Sequence, residues 1–140
     1  MTIDLPSFSP CDALVALMVA VSASDMNMRT AELVAIERTV NHAPIFANYD
    51  IDRIRAVSQT VITLFEEEDG LDALFGLVRD ALPDELYLTA YALCCDIAAA
   101  DGRSGQDEAV MLAEIRHQFA IDRLHSAAIE LSARVRHQVL

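Results

Sequence analysis

The chain has no lysine and no tryptophan. It has only three cysteines, four glycines and four prolines in 140 residues. Each shortage excludes something. All ten basic residues are arginines, and against 22 acids they leave a net charge of −12. Non-specific nucleic-acid binding needs a basic footprint, so the balance argues against it, and equally against docking on anionic lipid. Cations and basic partners are easier to reconcile with such a surface. The three cysteines, Cys11, Cys94 and Cys95, are odd in number and two are adjacent, which is no disulfide framework. Residues that are neighbours in a helix point about 100° apart and do not bridge. A reducing, cytoplasmic setting follows, with the thiols as small buried hydrophobes. Long apolar runs are missing too. The longest, Ala13 to Val21, is about half the roughly 18 residues of a membrane span. Asp4, Pro6, Pro10 and Asp12 stand where a signal peptide would be basic and then apolar.

Catalytic signatures are equally scarce. The sequence contains no G-x-S-x-G, P-loop, Gly-rich dinucleotide turn, H-E-x-x-H or C-x-x-C. Nothing in it points to a nucleophile with its base.

What is present is helix-forming. Ala, Leu, Val and Ile dominate, and apolar residues recur at helical spacing. After an irregular arm over residues 1–9, Ser9-Pro10 reads as an N-cap followed by a first-turn proline. The first helix, to about Ala23, sets Leu14, Leu17, Met18 and Val21 on one face. A second, from about Arg29 to Asn41, carries Leu33, Ile36 and Val40, and Pro44 ends it. Ile45 to Tyr49 reads as a loop. Asp50 or Asp52 caps a third helix with Ile54, Val57, Val61 and Leu64. Asp69 or Gly70 opens a fourth with Leu74, Phe75 and Val78. Pro83-Asp84-Glu85 starts a fifth with Ala90, Leu93, Cys94 and Ile97. The sixth, from about Ser104 to Gln118, carries Met111, Leu112, Ile115 and Phe119. The seventh, from about Asp122, sets Leu124, Ala128, Leu131 and Val135 in register. The expected fold is all-α, about seven helices in one domain over residues 10–140. The charge is uneven: from Arg116 onward four arginines and three of the four histidines face only Asp122 and Glu130. The last helix is therefore mildly basic, suited to the acidic remainder or to an acidic partner.

One pattern occurs twice. Asp25 and Glu32 recur as Asp101 and Glu108, each pair 76 residues on. Each Asp closes a helix and each Glu opens the next, so a helix–elbow–helix unit is used twice, and a pseudo-two-fold relation between the halves is expected. Two carboxylates at an elbow suit a hard cation, which wants several oxygen ligands, and Asp96 and Asp107 lie nearby. The spacing is not an EF-hand, because Ala98 and Ala100 fall where ligands should and the glycine comes one position late. The alternative is purely structural. With Gly105 as N-cap, Glu108 is at the third helical position, where glutamate reaches back to cap the helix, and an aspartate in a turn accepts from loop N–H groups. In the first elbow Met26 replaces Gly102 and Arg29 replaces Gly105. His117, Asp122 and His125 bracket the turn before the last helix and could converge on a transition metal, although lone histidines on helix ends are more often solvated.

The run Ala92-Leu93-Cys94-Cys95-Asp96-Ile97-Ala98-Ala99-Ala100-Asp101-Gly102, followed by polar residues and Glu108, resembles the second half-motif of the tellurite-resistance TerB-like family. Ala23-Ser24-Asp25 to Glu32 resembles the first. The resemblance covers about residues 10 to 138 and departs at Met26, where the family often has glycine. It implies a cytoplasmic, non-enzymatic, all-helical module tied to tellurite and other stress responses. It also implies divalent-cation binding through Asp25, Glu32, Asp101 and Glu108, and association with protein partners at the membrane. A metal-free protein-interaction domain is the first alternative. A metal-dependent helical hydrolase acting on nucleotides is the second; it would need several carboxylates and histidines facing one cavity, and no E-x-x-E or H-D pair appears.

Overall fold

The structure, a computed structural model, describes residues 7–24, 30–100 and 105–140. Among them are seven α-helices and no strand: α1 (Pro10–Ser22), α2 (Thr30–His42), α3 (Arg53–Phe65), α4 (Gly70–Ala81), α5 (Tyr87–Ala99), α6 (Gln106–Gln118) and α7 (Arg123–Arg136). Short 3-10 turns at Pro44–Phe46 and Asp84–Leu86 precede α3 and α5. The first of these takes in part of the segment expected to be a loop, and Phe46 turns into the core.

The apolar run in α1 decides the layout. A helix that is hydrophobic all round has no face for water and must be surrounded. Every residue from Asp12 to Ser22 is buried, and α1 packs against α2, α3, α4, α5 and α6. Ser9 caps it as expected, and the cap is a reciprocal box. The Asp12 N–H donates to Ser9 Oγ and the Ser9 N–H donates to Asp12 Oδ2, each at 3.0 Å. Phe8, in the N-terminal arm, joins the core ahead of the cap.

Helices α2 to α6 cover α1 with one face each, and α7 packs on α5. In α3 that face is Ile54, Val57, Val61 and Leu64, and in α4 it includes Leu74, Phe75 and Val78. Gly70 opens α4 hard against the end of α3, where a Cβ would collide with the Leu64 carbonyl. Phe119 stacks on Tyr87 at 4.3 Å between centroids and meets Phe75 edge-on, tying α4, α5 and the end of α6. All three cysteines are free; Cys94 and Cys95 are buried and Cys11 is half-buried.

Several expected core positions face elsewhere. Leu33 is exposed, because α2 buries Glu32, Ile36 and Val40 instead. Leu93 is only partly buried, since α5 turns Ala90, Cys94 and Ile97 inward. The apolar row on α7 is reversed altogether: Leu124, Leu131 and Val135 are exposed, and Ser126 and Ala133 are buried.

The helix bounds repeat along the chain. α2 and α6 begin at residues 30 and 106 and end at 42 and 118, an offset of 76 at both ends. α1 and α5 are also 13 residues each. The surroundings differ, since α1 is buried on all sides and α5 on one. The two-fold relation itself remains an expectation.

Candidate functional site

Glu32 and Glu108 occupy the same place in their helices. Each is the third residue, in the first turn of α2 and of α6. Both are buried, at 1% and 4% exposure. A glutamate is almost never this buried without something that compensates its charge or its lost hydration. Gly105 precedes α6 with extended φ and ψ, so the chain enters the helix at the position expected. A first-turn carboxylate also sits at the positive end of the helix macrodipole. Asp25 and Asp101, the other half of each proposed ligand pair, lie outside the described residues.

The neighbouring acids are placed differently. Asp96 points to the C-terminal end of α7, where its Oδ1 lies 2.8 Å from Arg136 and 3.4 Å from His137. Asp107 is exposed on α6. Among the described residues no group of three or more His, Cys, Asp and Glu side chains could hold a metal. That corrects the reading of His117, Asp122 and His125 as a metal triad. Asp122 instead caps α7. It accepts the His125 N–H at 2.8 Å, and its Oδ2 lies 2.7 Å from His125 Nδ1. These backbone and side-chain bonds hold its carboxyl below the usual range.

Two polar clusters were not expected. At the start of α1, Asp12 is 1% exposed and takes Arg53 in a fork, Nε to Oδ1 at 2.9 Å and Nη2 to Oδ2 at 2.7 Å. The Tyr49 hydroxyl donates to Oδ1 at 2.6 Å. Burial works against the Asp12 charge, but the bonds from Arg53, Tyr49 and the Ser9 N–H outweigh it and bring the carboxyl to about 2. Burial first, then the bond to Asp12, pushes the Tyr49 phenol well up. The second cluster joins α5, α6 and α7. The Tyr91 hydroxyl donates to Glu130 at 2.7 Å and accepts from Arg116 at 2.6 Å. Beside it, burial is the largest influence that pushes the Cys95 thiol up to about 11, so it is no nucleophile at neutral pH. Both clusters read as struts between helices. The serine three residues before Asp12 was a visible sign of the first. Nothing in sequence marks the partners, 41 and 39 residues away.

No helix among the described residues is long and apolar enough to cross a membrane. The family model described as tellurite resistance protein TerB matches residues 11–131. No curated protein and no solved structure matches the chain.

Proposed function

Because this chain belongs to the tellurite resistance TerB family, we propose that it is a non-enzymatic, cytoplasmic, stress-associated helical module that binds a divalent cation and acts through protein partners, including partners at the membrane. One observation carries the cation reading. Two glutamates 76 residues apart are both buried in the first turn of a helix, each just after the segment that holds its matching aspartate. Asp25 and Glu32, with Asp101 and Glu108, would supply hard oxygen donors of the kind calcium, magnesium or manganese prefers. The net charge of −12 favours cation approach.

The test is calorimetric titration of the full chain with calcium, magnesium, manganese and zinc. Binding heat is expected in the wild type and should be lost in Glu32→Gln, Glu108→Gln, Asp25→Asn and Asp101→Asn. A metal-free interaction domain is favoured by one fact: the third helical position is where a capping glutamate sits. That reading predicts no heat with any metal, and only a small stability change in Glu108→Gln. Turnover of a nucleotide by the metal-loaded protein would instead establish a hydrolase.

A further inference from the structure

The last helix is built the opposite way to an ordinary core helix. Its fully buried residues, Ser126 and Ala133, are small, and Ile129 beside them packs partly buried against the core. Three of its four large aliphatics face out: Leu124 is 78% exposed, Leu131 53% and Val135 61%, and Ala128 between them is exposed as well. Positions 124, 128, 131 and 135 are spaced four, three, four, the seam of a packed helix pair. At about 100° per residue they lie opposite Ser126 and Ala133. The helix is pinned in this orientation by Glu130 to Tyr91 and by Arg136 to Asp96. Arg123 and Arg134, both exposed, stand along one side of the seam and make no ion pair among the described residues.

Elsewhere the same molecule has a complementary feature. α2 and α3 leave a groove of about 700 Å³ between them. Leu33, Ile51 and Ile62 line it, each 38–39% exposed, and Glu37 and Asp52 are the acids on its rim, with Arg55 as its one base. An amphipathic helix laid in an apolar groove is a common mode of recognition.

We propose that α7 of one copy docks into the α2–α3 groove of a second copy, apolar seam on apolar groove and basic flank on acidic rim. Charge selects this arrangement over α7 on α7, which would set Arg123 and Arg134 against a second set of cations. The contact is head-to-tail. Each copy keeps a vacant groove and a vacant helix, so association propagates to a ring or an open chain. A 14-residue helix is about 21 Å long. One such helix in one groove buries less than the roughly 800 Å² per partner of a stable interface, so association is concentration-dependent and weakened by salt. None of this depends on cation binding, and it is tested separately.

The experiment is sedimentation velocity on the full chain, from low micromolar to a few hundred micromolar, with chelator present. Leu131→Asp blocks the helix and Ile62→Asp blocks the groove. Both positions are exposed, and circular dichroism verifies that each variant is folded. The wild type is expected to form species larger than a dimer as concentration rises. Each variant alone should be monomeric. An equimolar mixture should form a dimer and nothing larger, because only one intact helix and one intact groove remain per pair. A wild type that stays monomeric throughout, an Ile62→Asp variant that dimerises alone, or a mixture that stays monomeric would overturn the proposal.

Discussion

Replacing Asp12 with asparagine keeps the shape of the side chain and removes the charge that holds Arg53. The folded carboxyl titrates at about 2, against an ordinary value of 3.8. At about 1.36 kcal/mol per pH unit the difference is worth about 2 kcal/mol at neutral pH. Loss of a buried ion-pair partner costs about 3–5 kcal/mol when the survivor stays buried. Arg53 is half exposed and can return to water, so the lower figure applies. Asparagine can still accept the Ser9 N–H on its one amide oxygen, with its NH2 turned to the Tyr49 oxygen, which also keeps the loss moderate. The sign of the pH dependence follows from the direction of the shift. A carboxyl whose folded value is depressed contributes its stability above the unfolded value, and that contribution fades as pH falls toward the folded one. Urea unfolding of wild type and Asp12→Asn should therefore differ by about 2 kcal/mol at pH 7, by about half that at pH 3 and by well under 1 kcal/mol at pH 2. Other carboxylates titrate in both proteins and cancel in the difference. A difference below about 0.5 kcal/mol at pH 7, or one that does not shrink in acid, would refute the view of Asp12 as a charged strut.

Leu17→Ala should cost about 2–5 kcal/mol by chemical denaturation, because Leu17 is fully buried in the central helix. The matching Leu93→Ala should cost less, since Leu93 is only partly buried; equal losses would mean that the two halves bury α1 and α5 alike. Gly70→Ala should lower stability by about 1–3 kcal/mol, because the new Cβ meets the Leu64 carbonyl. A gain, as for an ordinary helical glycine, would show that α3 and α4 do not approach so closely. Ala120 closes α6 at a φ of 51°, with the Ile121 N–H on the Arg116 carbonyl at 3.0 Å. Left-handed alanine costs about 1–2 kcal/mol, partly offset by the stiffer unfolded chain. Ala120→Gly should therefore raise stability by up to about 1 kcal/mol in urea unfolding, and a clear loss would contradict the assignment of strain there.

The helices were legible in sequence because their punctuation is local. Ser9-Pro10, Pro44, Gly70, Pro83 and Asp122 each mark a boundary within a residue or two of an observed helix end. The unbroken run in α1 also carried its fate, because no polar residue from Ala13 to Val21 gives that helix a wet side. The orientation of α7 was not legible. Periodicity shows that Leu124, Leu131 and Val135 share a face; it does not show which way that face points. Small residues fully buried and three large ones outside run against the usual rule, and only the packing of α7 on α5 decides it. The repeat made Glu32 and Glu108 visible as a pair, and their burial gives that pair physical weight. The pairing of Asp12 with Arg53 depends on how α1 and α3 meet, which no local pattern encodes.

The central claim is that the two carboxylate pairs hold a cation, and a thermal melt tests it most directly. With calcium, magnesium or manganese at a hundredfold excess over its dissociation constant, binding should stabilise the fold by about 2.7 kcal/mol. For a chain of this size that is a rise in Tm of roughly 5–10 °C. The rise should reverse with chelator and be absent in a Glu32→Gln, Glu108→Gln double variant. A wild-type Tm that stays unchanged across millimolar calcium, magnesium and manganese and micromolar zinc would contradict the claim and leave both glutamates as helix caps.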